Sequence, residues 1–205
     1  MGTSEVILVG VDGSKESYAA VKWAAERSKV RDCRLHIICT YAVASYAAAT
    51  LDGGYAVLDD AALKEGASQI VQQGVDLARE IGATNVHGVV EAGDPAGILI
   101  DMSKEVDLIV VGSRGGGGFA DRLLGTVSSA LPAHAKCPVV IVPRHTSGKG
   151  FTPVERIVVG SDGSEGATSA LKRAIDEAEL WDARLTAVAA VPMATGTTMM
   201  AWLPA

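Results

Sequence analysis

The chain has 205 residues, which at about 150 per domain is one large domain, or one domain and a remainder. Charged residues make up 20% and AVILMFWYC 48%, with 23 glycines and 7 prolines, a balance that excludes intrinsic disorder and collagen-like repeats. Aromatics at 4% and a net charge of −6 point to an aliphatic core of the buried parallel-sheet kind, and away from a nucleic-acid binder with its clustered Lys and Arg.

Met1 to Glu5 carries no basic stretch followed by an apolar core, so a signal peptide is not expected. Val6 to Val11 is a short apolar run closed by Asp12-Gly13-Ser14, the pattern of a buried strand and its turn. The Ser14 hydroxyl can accept from an orphan backbone amide, which predicts a helix running to about Val30. Leu35 to Cys39 predicts a second strand, and the aperiodic Ala- and Gly-rich stretch Tyr41 to Tyr55 a loop. Ile70, Val71, Gly74, Leu77, Ala78 and Ile81 share one face of a 3.6-residue period, so a long helix follows, ended by Gly82. Val86 to Glu91 predicts a third strand, and Asp94-Pro95 opens a third helix as N-cap and first helical residue. Val106 to Val111 predicts a fourth strand, Thr126 to Lys136 a fourth helix, and Pro138 to Val142 a fifth strand. Strands separated by helices imply right-handed crossovers, so the predicted fold is α/β, a doubly wound parallel sheet with helices on both faces. No run of 18 apolar residues exists to span a membrane, and a cytoplasmic location is expected.

The sequence also repeats itself. Val6 to Ser14 returns 150 positions later as Arg156 to Ser164, and 12 of the 38 positions from 6–43 and 156–193 are identical without a gap. The second copy stops after β-α-β. The expected organisation is a domain over 1–144, a polar Gly-, Ser- and Pro-rich linker over 145–154, and an incomplete copy over 155–205. Val191 to Ala205 carries no charge and reads as the interior of a longer protein.

In open α/β sheets, ligands bind beyond the carboxyl ends of strands, where the strand order reverses. Two glycine-bearing turns fall at such ends. One is Gly10-Val11-Asp12-Gly13-Ser14. The other runs from Gly112 through Ser113, Arg114, Gly115, Gly116, Gly117 and Gly118 to Gly125, Thr126 and Val127. Consecutive glycines let amides approach an anion with no Cβ in the way. A helix opened by Gly125-Thr126 offers its first amides and positive dipole end to phosphate. A flexible solvated loop has the same composition, but the position at a strand end before a helix argues for a phosphate site. The GxxxxGKS/T phosphate loop and the G-x-S-x-G nucleophile elbow are absent, and Gly115-x-Gly117-x-x-Ala120 fits the dinucleotide fingerprint only loosely. Asp12 can either close an Asx-type turn or face a ligand; Asp162 reads as a turn residue, because its copy has no Gly-x-x-Gly loop. Cys33, Cys39 and Cys137 lack CxxC spacing and read as core thiols. His36, His87, His134 and His145 are scattered, with no metal-ligand spacing.

The spacing Gly112-x2-Gly115-x9-Gly125-Thr126 resembles the G-x2-G-x9-G-S/T signature of the ATP-binding universal stress proteins. The opening strand with Val11-Asp12-Gly13-Ser14 and the closing Cys137-Pro-Val-Val-Ile-Val-Pro143 are similar to the same family. The resemblance implies a five-stranded sheet of order 3-2-1-4-5, ATP held across strands one and four, and homodimers paired through the fifth strand. It implies that Val11, Thr40 and Tyr41 border the adenine, that Gly10 belongs to the same binding site, and that Asp12 faces the ribose or a Mg2+ on the phosphates. Gly112, Ser113, Arg114 and Gly115 to Gly118 would wrap ribose and phosphate, with Gly125, Thr126 and Val127 on the phosphate tail.

Two function classes follow. One is an ATP-binding stress-response or regulatory module, in which nucleotide shifts conformation or the choice of an unknown protein partner, with no nucleic acid or membrane involved. The other is a nucleotide-using enzyme on the same sheet, a slow ATP hydrolase at most, because only one Arg and one Asp stand near the glycines. A cyclic-nucleotide binder would use the same site.

Overall fold

The computed structural model of the chain describes residues 5–41, 60–115, 124–144 and 151–190. It divides into two compact units, Met1–Phe151 and Thr152–Ala205. Elements of the first are β1 (Val6–Gly10), α1 (Lys15–Arg31), β2 (Arg34–Tyr41), α2 (Asp60–Ile81), β3 (Val86–Ala92), α3 (Pro95–Met102), β4 (Leu108–Gly112), α4 (Thr126–His134) and β5 (Val139–Val142). The five strands form one sheet of order β3-β2-β1-β4-β5, parallel at every pairing. The expected doubly wound fold is therefore present.

The unbroken apolar run of β1 follows from its central place, with neighbours on both edges and helices on both faces. Ile7 and Val9 enter the larger core cluster, which Ala20, Val21 and Ala24 of α1 and Val71, Val75 and Ala78 of α2 complete. Leu8 points the other way, to Leu99 of α3 and Leu131 of α4. Each fully buried side chain of this kind contributes about 1.5–3 kcal/mol.

Local chemistry sets the ends of the elements. Ser14 Oγ accepts from Ser17 N at 3.1 Å to start α1, and Asp32 ends it in the left-handed region at φ 49°. Asp94 Oδ2 accepts from Gly97 N at 2.7 Å, with Pro95 at the first helical position of α3. Several boundaries shift by one residue from the sequence pattern, and three shift by two. β2 runs on to Tyr41 because β3 is long enough to pair Thr40 with Glu91 and Tyr41 with Ala92. β4 begins at Leu108 rather than Val106, since Asp107 serves the neighbouring strand: its Oδ2 accepts from Val6 N at 2.8 Å. α4 stops at His134, because Lys136 N donates instead to Ser103 Oγ at 2.8 Å. Most of the expected loop after Tyr41 lies outside the described residues.

The second unit consists, among the described residues, of β6 (Arg156–Gly160), α5 (Glu165–Trp181) and β7 (Arg184–Val188), with β6 and β7 parallel. Its turn repeats that of the first unit: Ser164 caps α5 and Ser164 N donates to Asp162 Oδ1 at 3.0 Å. Burial does not repeat. Leu8 and Ile38 are at most 1% exposed, whereas the equivalent Val158 and Val188 are 65% and 48% exposed. No described helix is long and apolar enough to cross a membrane.

Candidate functional site

The strand order reverses between β1 and β4, and both strands end on a glycine, Gly10 and Gly112. Beyond these ends lies a cleft of about 570 Å3. Of the residues singled out from sequence, Gly10, Val11, Asp12, Thr40, Gly112, Arg114, Gly115, Gly125, Thr126 and Val127 line it. Tyr41 packs against the larger core cluster. Ser113 is buried and supplies its backbone: its carbonyl accepts from Gly125 N at 2.9 Å and Ser128 Oγ at 2.8 Å. Gly116, Gly117 and Gly118 lie outside the described residues.

Close approach explains two of the glycines. A Cβ on Gly112 would sit 2.8 Å from the Glu16 carbonyl carbon, so the first turn of α1 rests directly on the end of β4. A Cβ on Gly115 would collide with Asp12 Oδ2, so this loop runs against the Asp12 carboxylate. Side chains at either position would push the two walls of the cleft apart.

Asp12 holds its own turn. Its Oδ1 accepts from Ser14 N at 3.0 Å and Ser14 Oγ at 2.6 Å, while its backbone amide donates to Ser17 Oγ at 3.4 Å. The turn reading and the ligand-facing reading are thus compatible, because Asp12 also lines the cleft. Its charge is felt in the wall behind. Burial first, and the Asp12 carboxylate second, push the Cys39 thiol up to about 11. Tyr18 is raised by burial, then by Cys39 and Asp12; its hydroxyl donates to Gln73 Oε1 at 2.7 Å. At Asp162 the Ser164 hydroxyl and amide hold the carboxyl low, but among the described residues a Cβ on Gly160 or Gly163 would meet no atom within 4 Å.

The α4 start differs from the other helix starts just described. Gly125 is its N-cap and no side chain among the described residues caps it, whereas Ser14, Asp94 and Ser164 cap α1, α3 and α5. Gly125, Thr126 and Val127 all line the cleft. Uncapped first-turn amides carry partial positive charge and lack intrahelical partners, so this end of the cleft favours an anion.

Several lining residues escaped the sequence reading. Ile38, Leu99 and Val111 form the apolar floor, and Pro95 brings in the start of α3. Ile38 could have been found, since it is two residues before Thr40 on the same strand face. Glu16 and Arg144 line the rim and pair at 3.5 Å. Arg144 follows β5, and no local motif marks it.

An open α/β protein with a ligand cleft at its strand-order reversal is the class these features define. The family model of the universal stress protein family matches residues 3–143 and 153–199, and the chain belongs to that family. Universal stress protein Rv2623 of Mycobacterium tuberculosis is 34% identical over 195 residues, covering 89% of this chain and 62% of that one. A universal stress protein of Mycolicibacterium smegmatis is 32% identical over 176 residues, covering 84% and 59%. The chain thus spans less than two thirds of the length of these relatives. Among solved structures, a universal stress protein in complex with cAMP is 28% identical with a TM-score of 0.52, covering 71% of this chain and 100% of that one. A universal stress protein from Archaeoglobus fulgidus shares the fold at 21% identity and a TM-score of 0.73, covering 94% and 69%.

Proposed function

We propose that the chain is an adenine-nucleotide-binding regulatory protein, with ATP held between the β1 and β4 ends and acting as a conformational or partner switch. The observation that carries this is the uncapped α4 start opening into the cleft, where its amides suit phosphate oxygens. In this reading Gly10, Val11 and Thr40 border the adenine and Asp12 faces the ribose. Gly112, Arg114 and Gly115 wrap ribose and phosphate, and Gly125, Thr126 and Val127 hold the tail. A Mg2+ brought by the phosphates fits beside Asp12, because Mg2+ is usually held by phosphates and one or two carboxylates. Among the described residues no cluster of three or more His, Cys, Asp or Glu offers a metal cage. Turnover is slow in this account: Asp12 is tied into its turn and Glu16 pairs with Arg144, so neither stands ready as a base.

Residues 1–144 are then the nucleotide domain, 145–154 a linker, and 155–205 a copy without a site of its own. The protein acts in the cytoplasm as a homodimer whose contact is the outer edge of β5, where the sheet order ends. The relative in complex with cAMP supports a second reading, in which a cyclic nucleotide is the working ligand. Mass spectrometry of the ligand that co-purifies, followed by calorimetric titration with ATP and cAMP, tests both. Tighter binding of ATP supports the first, tighter binding of cAMP the second, and binding of neither contradicts both.

A further inference from the structure

Inside this nucleotide reading, and resting on it, the rim of the cleft carries a second device. We propose that Arg144 reads the charge of a bound nucleotide, through competition between its phosphates and the Glu16 carboxylate for one guanidinium. Arg144 Nε and Glu16 Oε1 are 3.5 Å apart, and both residues line the same cleft as Gly112, Gly115 and Thr126. The two partners are unequal. Glu16 is 19% exposed in its side chain, and its backbone rests against Gly112 within a turn that Ser14 caps. Arg144 is 69% exposed, just past the end of β5. Arg144 is therefore the member that moves.

The pair itself is weak, being single, long and solvated. A phosphate chain offers the guanidinium a bidentate fit with two or more charges, whereas the Glu16 carboxylate offers one charge through a single 3.5 Å contact. Glu16 stays in place and faces the same ligand, so it sets a threshold. Ligands with several phosphate charges win Arg144 and offset the repulsion from Glu16. Neutral or singly charged ligands do not. The pair thus selects nucleoside polyphosphates over nucleosides and cyclic monophosphates bound on the same floor of Ile38, Leu99 and Val111.

The test is a set of dissociation constants for adenosine, cAMP and ATP at fixed salt, with the full chain and its Arg144→Gln, Arg144→Lys and Glu16→Gln variants. Arg144→Gln is expected to weaken ATP by roughly three- to tenfold while adenosine changes less than about twofold. Arg144→Lys should restore part of the ATP affinity, and Glu16→Gln should tighten ATP and cAMP and narrow the gap between them. Equal effects on adenosine and ATP, or ATP affinity indifferent to Arg144→Gln, would overturn the proposal and leave the nucleotide site standing. Binding of none of the three ligands by the unaltered chain would overturn the nucleotide reading and the charge reader together.

Discussion

Gly112 and Gly115 are where sequence and site meet most closely, because each lacks a Cβ at a place already filled. At Gly112 the obstruction is the α1 backbone, which cannot rotate away as a side chain would. Gly112→Ala is therefore expected to destabilise the domain by about 1–3 kcal/mol, as overpacking does, seen as a lower urea midpoint at unchanged slope. Equal midpoints would mean that α1 yields freely. The thiols make a second residue-scale case. Burial, with Glu5 beside it, pushes Cys33 up to about 11, and Cys39 stands at the same value. Acids whose folded pKa is raised give stability that is complete below the unfolded value, 9.0 here, and lost as pH rises through about 11. The chain should therefore lose stability between these pH values, and lose less of it in a Cys33→Ala, Cys39→Ala double variant referenced to its own pH 8 value. Identical pH profiles would remove the thiols from the account.

At the scale of elements, capping and period were legible, and long-range demand was not. Ser14, Asp94-Pro95 and Gly82 each announced a helix end that the structure shows, because each acts on amides and carbonyls a few residues away. The late start of β4 and early end of α4 depend on Asp107 meeting Val6 and Lys136 meeting Ser103, contacts about 100 and 33 positions apart in sequence. No window of local sequence contains them. The same division holds for the cleft. Its glycine walls were readable from spacing, whereas the floor under Leu99 and the rim at Arg144 come from α3 and the end of β5 folding over the strand ends. Asp107→Ala should cost about 1–3 kcal/mol, since it strips the partner from a part-buried Val6 amide. A thermal shift no larger than that of an exposed control such as Asp101→Ala would contradict the role given to it.

For the whole molecule, the repeat is a reminder that similar sequence does not fix burial. Leu8 and Val158 occupy equivalent positions, yet one is 0% and the other 65% exposed. Leu8→Ala should cost about 2–5 kcal/mol, and Val158→Ala less than about 1 kcal/mol, each read by denaturant unfolding of the unit concerned. Comparable costs would mean that something covers Val158. The second unit keeps the Asp-Gly-Ser turn and the α5 cap, and among the described residues a Cβ on Gly160 or Gly163 would meet no atom within 4 Å. The proposed site draws on the β4 loop as well as the β1 turn, which is why one nucleotide per chain is expected.

The central claim is that a phosphate sits on the uncapped α4 start. Gly125 has φ −77°, open to any residue, and a Cβ there would lie no nearer than 3.7 Å to another group. Gly125→Asp therefore adds an ordinary N-cap carboxylate, which should hold or raise the melting temperature, while it fills the anion site with a like charge. Calorimetric titration with ATP alongside a melting curve reads both effects on one sample. The account predicts one ATP per unaltered chain and a loss of binding of at least about tenfold in Gly125→Asp, from like charges a few ångströms apart, with no loss of thermal stability. Unchanged ATP affinity in a variant that melts no lower than the unaltered chain would contradict it.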